Sequence, residues 1–153
     1  ELSIGSKTFK IYDVDGHMVG HIAYSLLDDN ALFTGDSLMV MGCGRLFEGT
    51  PKDMWESLKK LKQLPEDTMI YSGHEYTKSN IEFALTVDPK NEKLKARRIK
   101  ELARLEKGTP TVPSTLWHPE PKTRPEMEPL RPRFWHRPWC AKGFATQQQE
   151  PAL

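Results

Sequence analysis

The sequence predicts an α/β fold in which short strands come first and helices follow. Three observations predict it. Residues 1–76 alternate short apolar runs with turn residues. Residues 77–116 lose that alternation and take up helical spacing. Three side chains that suit a metal, His17, Asp36 and His74, each stand just past an apolar run that reads as a strand. Ligands at the ends of different strands are a usual way of building a site on a rigid scaffold.

Each element has a local signature. Residues 2–4 and 9–14 read as strands around Gly5-Ser6-Lys7. Residues 21–27 and 31–34 read as strands around Asp28-Asp29-Asn30, a turn-rich hairpin signal. A helix then starts at Thr50-Pro51-Lys52-Asp53: Thr50 is the N-cap, Pro51 the first helical residue and Asp53 a capping-box acid. Met54, Leu58 and Leu61 repeat at helical spacing beside Trp55, and Leu64-Pro65 ends the run. Residues 68–72 read as a short buried strand. Residues 80–87 read as a helix closed by Asp88-Pro89. Residues 92–107 form the clearest helix, with Leu94, Ile99, Leu102 and Leu105 on one side and Gly108 at the C-cap. Its other side carries Lys93, Arg97, Lys100, Arg104 and Lys107, most simply a solvated face, alternatively a weak attraction for an anionic ligand.

The last stretch differs. Residues 117–153 hold 7 of the 12 prolines and 3 of the 4 tryptophans, and neither Val nor Ile. Such aperiodic sequence buries too little apolar area to order itself, so this tail is expected to be mostly disordered. Docking of Trp117, Trp135 and Trp139 on a neighbour is the alternative. The domain reading is therefore 1–76, 77–116 and a divergent tail, 117–153.

Bulk numbers narrow the partners. Net charge is +1, which favours no nucleic acid. Locally the balance is uneven: residues 90–107 carry 3 acids and 8 bases. No run of about 18 apolar residues exists, so no membrane span is expected. Cys43 and Cys140 do not make a disulfide framework, which points to a reducing, cytoplasmic compartment. The chain opens at Glu1 rather than Met, so further sequence is expected upstream.

Taken singly, each candidate ligand has a structural reading; Asp36 in Thr34-Gly35-Asp36, for instance, suits a turn cap. Three such strand ends, 19 and 38 residues apart, are harder to explain structurally. His21, inside the strand read over residues 21–27, reads as structural or as a support that orients a ligand. Cys43 has no base motif beside it and reads as packing. Asp13-Val14-Asp15-Gly16 matches only the start of a calcium loop.

Three longer stretches are more specific: Ala31-Leu32-Phe33-Thr34-Gly35-Asp36-Ser37-Leu38, Gly42-Cys43-Gly44-Arg45-Leu46-Phe47-Glu48-Gly49-Thr50-Pro51, and Ser72-Gly73-His74-Glu75-Tyr76-Thr77. Together they resemble the glyoxalase II family, hydroxyacylglutathione hydrolases of the metallo-β-lactamase fold. The resemblance runs over roughly residues 1–116, Pro110–Thr115 included as part of the family's helical C-terminal segment. It implies a partial αββα sandwich followed by a helical segment. It implies hydrolysis of the thioester of S-(2-hydroxyacyl)glutathione, S-D-lactoylglutathione to D-lactate and glutathione, in methylglyoxal detoxification. Two zinc ions would serve, with iron or manganese as other possible metals. By resemblance His17 ligates the first metal, Asp36 bridges both and His74 ligates the second. Arg45 and Tyr76 would contact the glutathione part of the substrate.

Three departures accompany the resemblance. The family's H-x-H-x-D-H cluster has no counterpart here, so an N-terminal half is expected in the full-length protein. The usual Pro-Gly-His-Thr is here Asp15-Gly16-His17-Met18. From Trp117 onward nothing matches the family's basic ending, which suggests a replaced terminus. Half a sandwich would expose a sheet face that the other half should cover. The rival readings are a non-catalytic remnant that binds glutathione-like anions, and another metallo-β-lactamase-fold metalloenzyme.

Overall fold

The computed structural model describes residues 1–116. The expectations for 117–153 lie outside the described residues.

Six strands form one sheet in simple sequential order. β1 (Leu2–Ile4) and β2 (Lys7–Asp13) make the first hairpin. β3 (Ile22–Leu26) and β4 (Ala31–Gly35) make the second. Its connection is a 3-10 turn, Leu27–Asp29, closed by Asn30 at φ 51°. Asparagine tolerates this left-handed backbone, which explains why the Asp-Asp-Asn run reads as a turn. β5 (Met69–Ser72) runs parallel to β4, and a parallel neighbour needs a crossover. The crossover carries α1 (Pro51–Leu61).

The start of α1 follows its sequence signals. The Thr50 hydroxyl accepts from the Asp53 N–H at 3.2 Å, and the Asp53 carboxylate accepts from the Thr50 N–H at 2.8 Å. Met54, Leu58 and Leu61 face the sheet and join Val14, Ala23, Leu32, Leu38 and Ile70 in the core. The helix stops at Leu61, ahead of the expected Leu64-Pro65, because the Leu64 N–H turns back to the Leu61 carbonyl.

α2 (Thr77–Val87) and α3 (Glu92–Glu106) pack on each other. Asn91 caps α3 by accepting from the Leu94 N–H at 3.0 Å. The face that α3 turns inward differs from the expected apolar stripe. Leu94 is buried, but Ile99 is 71% exposed, and Glu101 is wholly buried. Glu101 pairs with Arg97 and, at 3.4 Å, with Arg104. The basic side is thus partly an internal ion-pair network rather than a solvated face. β6 (Ser114–Thr115) then returns to the sheet antiparallel to β5. This strand was not foreseen within 77–116, since two residues carry no periodicity. Among the described residues no helix is long and apolar enough to cross a membrane.

The two sheet faces are unlike. One is sealed by α1. On the other, Ile11, Tyr24, Phe33 and Tyr71 lie opposite one another across four strands. Phe33 and Tyr71 stack at 5.0 Å and remain 40% and 37% exposed.

Candidate functional site

β2, β4 and β5 all run in the same direction, since β3 is antiparallel to both β2 and β4 while β5 is parallel to β4. Their C-terminal ends therefore share one edge of the sheet, where open α/β sheets place their ligands. His17 lies in the loop after β2, Asp36 directly after β4, and His74 two residues after β5. The Gly73 N–H donates to the Gly35 carbonyl at 2.8 Å and ties the last two loops together.

The structure brings the three sequence-predicted residues together at Asp36. His74 Nδ1 is 2.7 Å from Asp36 Oδ1, and His17 Nε2 is 3.5 Å from Asp36 Oδ2. His17 Nδ1 lies 2.6 Å from the Arg45 carbonyl. A carbonyl only accepts, so Nδ1 carries a proton. The His17 ring also rests edge-on against Phe47 at 5.1 Å.

Gly44 makes this approach possible. A Cβ there would fall 2.1 Å from the Asp36 carbonyl oxygen and 2.9 Å from His17 Nδ1. At Gly35, with φ 52°, a Cβ would meet His21 Nε2 at 2.7 Å.

His21 supports the site from below. Its Nδ1 is 2.9 Å from the Ser37 hydroxyl, which itself donates to the Val14 carbonyl at 2.9 Å. Burial, then the neighbouring His17, lower the His21 pKa, with Asp36 and Asp15 acting the other way. Arg45 and Tyr76 occupy the rim. The Arg45 guanidinium lies 4.4 Å over the Phe47 ring. The Tyr76 ring stacks on His74 at 5.5 Å and is 53% exposed. Cys43 packs against the hydrophobic core. Asp15 accepts from the Gly20 N–H at 2.7 Å, a turn cap that accounts for the calcium-loop likeness.

Two features escaped sequence reasoning. Ser37 as the support of His21 is one. The other is Glu75, whose carboxylate accepts from the Thr111 N–H at 2.8 Å and from the Thr77 N–H at 3.3 Å. Burial raises the Glu75 pKa, but the Thr77 hydroxyl, then the N–H and hydroxyl of Thr111 and the Thr77 N–H, outweigh it and hold the carboxyl below its ordinary value. Glu75 stands within a recognised motif, whereas nothing local marks Thr111.

In kind, two imidazoles and one carboxylate suit a divalent metal. The glycines at 44 and 73 leave the space beside them free of Cβ atoms; one at Gly73 would sit 3.0 Å from Asp36 Oδ1. In number the set falls short: among the described residues no group of three or more His, Cys, Asp or Glu is disposed to hold an ion. His74 and Asp36 meet in a direct hydrogen bond. By themselves the three residues do not make a closed metal site.

Residues 1–74 match the model of the metallo-beta-lactamase superfamily, and residues 75–125 match the model of the hydroxyacylglutathione hydrolase C-terminus. The two matches abut inside the site loop, between His74 and Glu75. The chain belongs to the hydroxyacylglutathione hydrolase family. The hydroxyacylglutathione hydrolase of Ruegeria pomeroyi is 58% identical over 114 residues, which is 74% of this chain and 44% of that protein. That of Rhodospirillum rubrum is 50% identical over 115 residues, 75% of this chain and 45% of that protein. The chain thus spans less than half the length of these hydroxyacylglutathione hydrolases. Among solved structures, ETHE1 from Myxococcus xanthus is 35% identical with a TM-score of 0.46, over 49% of this chain and 34% of that one.

Proposed function

We propose that this chain is the C-terminal part of a glyoxalase II-type thioester hydrolase. The whole protein would cleave S-(2-hydroxyacyl)glutathione, S-D-lactoylglutathione in particular, as a cytoplasmic step in methylglyoxal detoxification. The observation that carries the reading is the meeting of His17 and His74 on Asp36 at one sheet edge, in a member of this family.

In this reading His17, Asp36 and His74 are three of the donors to a pair of zinc ions, and an N-terminal half supplies the others. Zinc would contribute Lewis acidity there, bringing water towards deprotonation at neutral pH and polarising the thioester carbonyl. His17 is held for its part by the Arg45 carbonyl, which fixes the tautomer. Arg45 offers a cation to a carboxylate of the glutathione moiety, and Tyr76 offers a phenol beside it. The N-terminal half would also cover the open face around Phe33 and Tyr71.

The test is a chimera in which the N-terminal half of the Ruegeria pomeroyi relative precedes this chain. Zinc-dependent hydrolysis of S-D-lactoylglutathione should appear in the chimera and fall by about 100-fold or more in Asp36→Asn. A folded chimera without turnover, or one indifferent to Asp36→Asn, would sink the reading. It would favour instead the non-catalytic anion-binding scaffold, to which the incomplete donor set of the described residues is the pertinent observation.

A further inference from the structure

The loop that carries His74 and Tyr76 is anchored by a residue with no part in the donor set. Glu75 lies between them in sequence and reaches the opposite way. Its Oε2 accepts from the Thr111 N–H at 2.8 Å, and both its oxygens lie 2.8 Å from the Thr111 hydroxyl. That hydroxyl is also 2.6 Å from the Thr77 hydroxyl. With Thr111 donating to the carboxylate, Thr77 must donate to Thr111, so every polar hydrogen is used. Thr111 is wholly buried and Thr77 nearly so. A missing partner inside such a network would leave an unsatisfied group.

Thr111 is itself fixed from two directions. Upstream, Arg104 donates to the Pro110 carbonyl at 2.6 Å. Downstream, Arg97 donates to the Ser114 hydroxyl at 2.8 Å, and Ser114 pairs with Ile70 in the sheet. Both arginines are gathered by the buried Glu101. A rigid path thus runs from α3 through residues 110–114 to Glu75. On the far side of the loop the His74 and Tyr76 rings stack at 18°, with His74 on Asp36.

We propose that the Glu75–Thr111 clasp is a positioning device: it ties the carboxylate of exposed Glu75 to buried Thr111 and so presents the His74 and Tyr76 rings together at the Asp36 edge. The proposal rests on the hydrolase reading for its purpose, but not for its geometry. It makes residues 110–114 part of the working site although none of them touches it.

The experiment is NMR on the 153-residue chain, following the ring-to-ring contacts of His74 and Tyr76, with zinc titrated into each sample. Thr111→Val removes the hydroxyl at constant size; Thr111→Ser restores it. Leu94→Ala, a buried change in the same helical region, controls for lost stability. Thr111→Val should lose the ring contacts and bind zinc about tenfold more weakly. Thr111→Ser and Leu94→Ala should keep both. Should Thr111→Val fail to fold, Glu75→Gln is read in its place with the same expectations. Retained ring contacts in the valine or glutamine variant would overturn the proposal, as would equal loss in Leu94→Ala. If zinc leaves the His74 signals of the unaltered chain unmoved, as an incomplete donor set allows, the ring contacts alone decide the positioning, and the hydrolase reading is decided by the chimera.

Discussion

The two faces of the sheet are built from the same strands and teach different things. On β3, the residues beneath α1 are small and buried: Ala23 at 0% and Ser25 at 2% exposure. Their neighbours Ile22, Tyr24 and Leu26 are large and point the other way, where no element of the described residues seals them. Ala23 joins Met54, Leu58 and Leu61 of α1 in the core on that side. The other side is an apolar surface of the kind that marks an interaction site. The edge that carries His17, Asp36 and His74 lies at the strand ends, where the Gly73 N–H ties its loop to the Gly35 carbonyl.

Adjacent residues on β4 give the largest expected contrast. Leu32 is fully buried, so Leu32→Ala should cost about 2–5 kcal/mol in chemical denaturation. Phe33 is the larger side chain but half-open, and Phe33→Ala should cost about 1 kcal/mol or less, chiefly its stacking on Tyr71. A Phe33→Ala cost equal to that of Leu32→Ala would mean that something covers the open face in solution.

Capping is the next effect down. Thr50→Ala removes the side-chain half of the α1 cap and should cost ~1 kcal/mol in the same measurement. The smallest expected effect is with pH. Hydrogen bonds from the Thr50 hydroxyl and then its N–H hold the Asp53 carboxyl below its ordinary value of about 4. A depressed carboxylate contributes stability above its unfolded pKa and loses it as pH falls through the folded one. Melting curves should therefore drop on acidification below about pH 4, and Asp53→Asn should drop less steeply. An unchanged slope in Asp53→Asn would place the acid sensitivity elsewhere.

What could be read from the chain divides along physical lines. β1 to β5 and α1 announce themselves, because turns such as Asp28-Asp29-Asn30 and the cap Thr50-Pro51-Lys52-Asp53 are local. The ring of Asp36 with His17 and His74 was legible as three strand ends, since a shared strand direction brings such ends together. The inner face of α3 was not. Arg97 and Glu101 look like solvent-facing charges until their mutual pairing within the fold is seen, and that pairing leaves Ile99 outside. Nor could the Thr111 contact with Glu75 be read, because a bond across 36 residues has no local signature. β6 was lost for the same reason, its two residues owing their form to β5.

The central claim is that this chain carries part of a metal site and needs further donors to complete it. The most direct test counts zinc and S-D-lactoylglutathione hydrolysis on one purified sample of the chain, refolded with excess zinc. The account predicts substoichiometric zinc and no turnover above that of free zinc. About two tightly held zinc ions per chain with sustained turnover would contradict it, and would mean that these residues close the site by themselves or across an oligomer.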